Sequence, residues 1–125
     1  MKIGQATDLG YPTNLVRQKL KECNILILES NHNIKMLLEG SYPWPLKQRI
    51  MSKNGHLSND DSIKLLKQVL HPDLEYLYLA HLSEENNRPE IVHDLFLDTL
   101  KSLNYGYIKM EIATQQQATN IALIG

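Results

Sequence analysis

The hydrophobic and polar positions along the chain predict short strands alternating with helices. Asn24–Leu28 and Leu74–Leu79 are apolar on both alternating faces, as expected for central strands that are covered on both sides. Lys2–Thr7 predicts an earlier strand that ends at Asp8, and Tyr107–Ile112 alternates apolar and charged residues like a half-exposed strand. The pattern therefore indicates an α/β fold.

Helical patterns lie between these strands. Asn14–Glu22 is rich in helix formers, and Ser58 is placed to begin a second helix with acidic residues in its first turn. A third helix is predicted from Asn87 to about Leu103, with Asn87 and Glu90 as a variant of the capping box.

The remaining segments complete one domain, or part of one. Asn33–Gly55 contains Gly40, Pro43 and Pro45, which favours short helical pieces within a long excursion. Asn120–Ile124 predicts a last strand, and no linker or internal repeat divides the chain.

The composition restricts the class of protein but does not indicate a function. The chain has 125 residues, 42% hydrophobic and 22% charged, with a net charge of −1, which indicates one soluble globular unit. No basic excess points to nucleic acid, so such a substrate must be argued from a site. The single cysteine, Cys23, excludes an internal disulfide and is expected to be a small buried hydrophobe. Without a signal peptide or a membrane-length apolar run, a cytoplasmic location is expected.

Residues able to bind metals or transfer protons recur where strands end or loops begin: Asp8, Glu29, His32, His56 and His81. Imidazole nitrogens and carboxylate oxygens are the ligands of zinc and manganese, and they also act as acids and bases. Taken singly, Asp8 fits a turn cap and each histidine fits an ordinary loop residue. Taken together they favour a metal-binding or catalytic role, because a His-Leu-Ser unit occurs at both 56–58 and 81–83.

Five segments resemble, in order and with family-like spacing, the C-terminal half of the YycJ/WalJ family: Thr7–Tyr11, Glu29–His32, Tyr42–Ile50, Gly55–Asn59 and Ala80–Asn87. That family belongs to the metallo-β-lactamase superfamily and is associated with 5′→3′ exonuclease activity on DNA. The resemblance implies half of a four-layer αββα sandwich, with a mixed sheet and two divalent ions, zinc or manganese, in the complete site.

The resemblance also implies roles for single residues. Asp8 matches the aspartate that bridges the two metals, and His81 matches a late histidine ligand. Glu29 is expected to orient His56, which would protonate the leaving oxygen. Further candidates at the site, or for binding substrate phosphates, are His32, Lys47, Arg49 and Ser83. For Lys47 and Arg49, a solvated surface charge is the competing interpretation.

The family's His-x-His-x-Asp-His motif does not occur in this sequence. We therefore expect residues 1–125 to be the C-terminal half of the domain, inactive or nearly so alone. The missing half as a separate partner is the favoured explanation; a poorly folded relic and a homodimeric binding module are the alternatives. Independently of the resemblance, the aromatic-proline loop Tyr42–Pro45 would suit docking of a partner protein or stacking of a base.

Overall fold

Nine elements make up the part of the chain that the computed structural model describes, residues 1–113. They are β1 (Ile3–Ala6), α1 (Asn14–Leu20), β2 (Ile25–Glu29), α2 (Ile34–Glu39), α3 (Trp44–Ile50), α4 (Asn59–Val69), β3 (Tyr76–Ala80), α5 (Pro89–Ser102) and β4 (Lys109–Ile112). The predicted α/β fold is confirmed, and so is the excursion between β2 and α4, which forms two short helices. The strand expected at 120–124 lies outside the described residues.

The four strands form one sheet in the order β1-β2-β3-β4, and every neighbouring pair is parallel. Within residues 1–113 the sheet is thus all-parallel rather than mixed as expected. Ala6 pairs with Leu28, and Leu28 pairs with Leu79. Because parallel strands all end at the same edge, the residues that follow β1, β2 and β3 meet there.

One face of the sheet carries the hydrophobic core. Leu26 and Leu28 of β2 and Leu77 and Leu79 of β3 are at most 1% exposed. They belong to one cluster with residues of α1, α4 and α5, including Leu20, Leu66 and Phe96. The helices therefore bury the even-numbered side chains of β2 and the odd-numbered ones of β3.

The opposite face of the sheet is less completely covered than the core face. Ile3 is 56% exposed, and Ile27 and Tyr78 are only half-buried. Tyr76 is covered on this face partly by its neighbours, since its ring stacks on Tyr78 and lies 5.5 Å from the Lys109 ammonium. Ile25 and Tyr76 are nevertheless only 9% exposed, so the central strands are largely buried on both faces as predicted.

Two predicted helix starts differ in outcome. Ser58 caps α4 as expected, with its hydroxyl accepting from the backbone N–H of Asp61 at 3.1 Å. The capping box at Asn87 is wrong, because Arg88 holds the N-cap position of α5. The Asn87 amide instead hydrogen-bonds to buried groups of two other segments.

Cys23 is buried as predicted, and burial raises the pKa of its thiol. His93 is exposed on α5, and the half-buried His71 lies with its Nε2 2.6 Å from the Cys23 carbonyl oxygen. None of the helices within residues 1–113 has the length and hydrophobicity needed to cross a membrane.

Candidate active site

Three strand ends bring the main candidates together. Asp8 follows β1 by two residues, Glu29 is the last residue of β2, and His81 follows β3 directly. One ligand atom from each of the three lies within 4.8 Å of the others. The register of a parallel sheet thus produces the cluster, as the positions of these residues after predicted strands suggested.

Glu29 is the centre of the site. Its side chain is fully buried, and Oε1 lies 3.0 Å from Nδ1 of both His56 and His81. Oε2 accepts from the backbone N–H of Leu57 at 3.1 Å. A carboxylate can only accept hydrogen bonds, so each imidazole donates its Nδ1–H. This fixes the tautomer of both rings and leaves both Nε2 atoms for a ligand or a proton.

Asp8 stands at the outer side of this arrangement. Its side chain is 70% exposed, and Oδ1 lies 3.9 Å from His56 Nδ1 and 3.7 Å from His81 Nδ1. Asp8 and His81 both have left-handed backbones, with φ of 58° and 57°. Such φ values are uncommon outside glycine and turn the chain sharply, which here happens where two strands end at the site.

His56 reaches Glu29 from a tight turn that follows α3. Its backbone N–H donates to the Ile50 carbonyl at 2.9 Å. A Cβ on Gly55 would overlap the carbonyl oxygens of Ile50 and Arg49, so the turn requires glycine. The glycine at position 55 therefore allows His56, which was predicted to lie in a loop, to approach Glu29.

The donor atoms suit a divalent cation. Asp8 offers a carboxylate oxygen and His81 an imidazole nitrogen, which are ligand types of zinc and manganese. Glu29 already accepts three hydrogen bonds, so it fits the supporting shell that orients a histidine ligand better than the metal shell itself. Two protein ligands are fewer than the three or four of typical zinc sites.

A cleft of about 680 Å³ adjoins the two histidines. Tyr42, Leu46, Ile50 and Leu82 give it an apolar side, and Ser83 lines it as well. This volume falls in the range of small-molecule sites in proteins. The predicted candidate Ser83 thus lies beside the site, where its backbone N–H donates to the Asn31 carbonyl at 2.7 Å.

His32 is near the site but turned into the protein. It is 2% exposed, and its Nδ1 lies 3.2 Å from the Asn31 side-chain oxygen. Burial, with a smaller effect from the charge of His56, lowers the pKa of His32 to about 4. His32 is therefore neutral at pH 7, and its backbone carbonyl accepts from Asn59 N–H at 2.8 Å.

The two basic candidates lie apart from the cluster. Lys47 is buried, and its ammonium donates to the carbonyls of Leu38 at 2.7 Å and Gly40 at 2.8 Å. It is therefore not a solvated surface charge; it satisfies carbonyls at the end of α2. Arg49 is exposed and is not among the described residues that line the cleft. Phosphate contacts by either residue stay predictions.

A buried polar group beneath the site, formed by Ser30, Asn59 and Asn87, was not predicted from the sequence. The Ser30 hydroxyl donates to Asn59 Oδ1 at 2.6 Å, and the Asn87 amide donates to the Ser30 carbonyl at 3.0 Å. The sequence did single out both asparagines, because each is the last residue of a segment that carries the family resemblance. Their pairing has no periodicity that a sequence pattern could show.

Comparison with known proteins gives matches that agree in name and in the region covered. The chain is 35% identical over 105 residues to exodeoxyribonuclease YycJ of Bacillus anthracis, a match that covers 84% of this chain and 40% of that protein. It is 37% identical over 100 residues to exodeoxyribonuclease WalJ of Streptococcus pneumoniae serotype 2, covering 80% and 37%.

The chain is similar to part of the YycJ/WalJ exodeoxyribonucleases. The expected resemblance to YycJ/WalJ is thus supported by sequence identity over most of the chain. The chain spans about two fifths of the length of these relatives. No family model matches the sequence.

Proposed function

We propose that this chain supplies part of the active site of a divalent-metal-dependent exodeoxyribonuclease with a metallo-β-lactamase fold. The observation that carries the proposal is the Glu29 carboxylate, which holds His56 and His81 together beside Asp8. The YycJ and WalJ relatives, which are named exodeoxyribonucleases, support the nuclease activity and a DNA substrate. We further propose a cytoplasmic location, in keeping with such a substrate.

In this proposal each residue has a distinct task. Asp8 and His81 Nε2 would hold a divalent ion, which supplies Lewis acidity and an activated water. Glu29 would keep both imidazoles in the Nδ1–H form. His56 would donate a proton from Nε2 to the leaving oxygen, and Glu29 would stabilise the imidazolium that this step requires.

The two ligands from this chain would not complete a two-metal centre. We propose that a His-x-His-x-Asp-His segment outside residues 1–125 supplies the others, and that residues 1–125 alone are inactive or nearly so. The relatives are more than twice as long as their matched region, and the sheet has an open face carrying Ile3 and Ile27. Both features suit docking of a second half-domain.

The test is complementation. The chain is co-expressed with the motif-bearing N-terminal part of the YycJ relative, and DNA degradation from the ends is measured with manganese or zinc. His56→Ala should lower the rate by about 10²–10⁴-fold, the usual contribution of a general acid, with metal content retained. The Asp8→Ala/His81→Ala double variant should lose bound metal. Unchanged metal content in that variant would reject Asp8 and His81 as ligands.

A binding module is the second candidate, favoured by the exposure of Trp44. The segment predicted as a loop, Tyr42–Pro45, enters α3 at Trp44, whose side chain is 56% exposed, and Tyr42 lines the cleft. Loss of partner or single-stranded DNA binding in Trp44→Ala, with His56→Ala silent in every assay, would favour this function over catalysis. The opposite pattern would favour the nuclease.

A further inference from the structure

We propose that the buried pair of Asn59 and Asn87, together with Ser30, has a positioning role. It holds the segments that carry His56 and His81 so that both imidazoles reach Glu29. None of the three residues belongs to the metal-binding or proton-transfer groups assigned above. The inference rests on the proposed function for its meaning in catalysis, although the geometry it concerns is independent of any metal.

The two asparagines form a reciprocal amide pair. Asn59 Nδ2 donates to Asn87 Oδ1 at 3.0 Å, and Asn87 Nδ2 donates to Asn59 Oδ1 at 2.9 Å. Asn59 is 3% exposed and Asn87 is 4% exposed. Buried polar groups are costly unless they are bonded, and here the bonds run in both directions, so the pair has one strongly preferred geometry.

Each member of the network belongs to a segment that carries a site residue. Ser30 directly follows Glu29, Asn59 lies shortly after His56, and Asn87 lies at the end of the loop that begins at His81. The Ser30 hydroxyl and carbonyl bond to Asn59 and Asn87 respectively. The network therefore joins the three segments beneath the site. The same segments supply Glu29 and the two histidines that contact its carboxylate.

Asn31 makes a second set of links between the same segments. Its backbone N–H donates to the Leu57 carbonyl at 2.9 Å, and its carbonyl accepts from Ser83 N–H at 2.7 Å. Its side-chain amide donates to the His81 carbonyl at 2.8 Å. These contacts join the same segments at the level of the site, and the asparagine pair joins them through side chains at a second level.

An apolar pair of the same size would fill the space without directional bonds. It would allow the loops to shift by a fraction of an ångström, and a 3.0 Å contact between Glu29 Oε1 and two imidazoles tolerates little displacement. The asparagine pair would thus act on catalysis through the two histidines, as a positioning group that does not itself touch substrate.

The experiment follows the imidazoles directly in the isolated chain. In ¹⁵N-labelled protein, the Nδ1–H signals of His56 and His81 are assigned with single His→Ala variants and compared at one fixed pH. Asn87→Leu should shift or broaden both signals, because Glu29 no longer holds the rings in one place. Val92→Ala, a buried change on α5 outside the network, is the control for loss of stability and should leave both signals in place.

Unchanged Nδ1–H signals in a folded Asn87→Leu variant would overturn the positioning role, whatever the loss of melting temperature. If Asn87→Leu does not fold, Ser30→Ala removes only the hydroxyl bonded to Asn59 and is judged by the same signals. Zinc titration of the chain co-expressed with the motif-bearing N-terminal part of the YycJ relative separates the two proposals. A zinc affinity lowered about 10–100-fold in Asn87→Leu is the effect expected of a supporting shell. Complemented wild-type protein that binds no zinc would count against the proposed function, while the imidazole signals of the isolated chain would still decide the positioning role.

Discussion

At the scale of single residues, Glu29 combines full burial with three hydrogen-bond donors aimed at it. Its position as the last residue of β2 could be predicted from the sequence, because the apolar run before it marks a strand. Its sharing between two histidines could not, because the loops that deliver His56 and His81 are irregular.

Glu29→Gln tests the importance of this carboxylate. The NH₂ group of glutamine would replace one carboxylate oxygen of Glu29. It would then face an N–H donor that now bonds to that oxygen, and one buried hydrogen bond would be lost. We expect a loss of about 1–3 kcal/mol in the free energy of unfolding, measured by urea denaturation. Glu75→Gln, at an exposed site, should change stability by no more than about 0.5 kcal/mol. Equal effects of the two variants would contradict the role given to Glu29.

His32 makes stability depend on pH. Its pKa falls from 6.5 to about 4 in the folded protein because burial disfavours the imidazolium. The unfolded chain therefore binds more protons between these two values, and the contribution of His32 to stability is present above pH 6.5 and lost as the pH falls to about 4. The loss should reach about 3 kcal/mol.

Denaturation curves at several pH values measure this effect. The His32→Asn variant should lose the part of the slope that lies between pH 4 and 6.5. His93→Asn, an exposed histidine on α5, should keep it. A wild-type slope that survives in His32→Asn would show that other groups cause the pH dependence.

At the scale of elements, α4 illustrates what a sequence pattern reveals and what it does not. The Ser58 cap could be predicted from a serine before acidic residues and an apolar stripe. The failure at α5 has a physical cause: Asn87 bonds to buried groups at the ends of β2 and α4, and those partners are distant in sequence. Tertiary contacts override a local capping preference there.

Two serines of α4 should respond oppositely to loss of their hydroxyl. Ser58→Ala removes the cap and should destabilise the protein by about 1 kcal/mol. Ser62 is fully buried, and its hydroxyl has no hydrogen-bond partner within residues 1–113. Ser62→Ala should therefore be neutral or stabilising by up to about 1 kcal/mol. Thermal melting of both variants checks this, and a clear loss in Ser62→Ala would reveal a partner for that hydroxyl.

At the scale of the whole molecule, the sheet separates a packed face from an open one. The apolar character of β2 and β3 could be read from the sequence, but not which face lacks a helical cover. Both faces carry the same types of apolar and aromatic residue. The sequence pattern therefore does not distinguish Tyr76 and Tyr78, which stack on each other along the open face, from residues of the core. Exposed apolar sheet faces favour association.

We expect the isolated chain to self-associate through this open face. Ile3→Lys places a charge on the edge strand β1, where Ile3 is 56% exposed, and should shift sedimentation toward monomer with little change in stability. Leu15→Lys is the matched control, since Leu15 is 65% exposed on α1, a helix of the packed side. Equal shifts in both variants would place the association surface elsewhere.

The single oxygen shared by His56 and His81 has an evolutionary consequence. Because Oε1 of Glu29 lies 3.0 Å from both rings, we expect a substitution at position 29 to disturb the proposed proton donor and the proposed metal ligand together. A lineage that lost one of the two proposed tasks would still need the carboxylate for the other. Glu29 should therefore disappear only from homologous chains in which His56 and His81 are both gone.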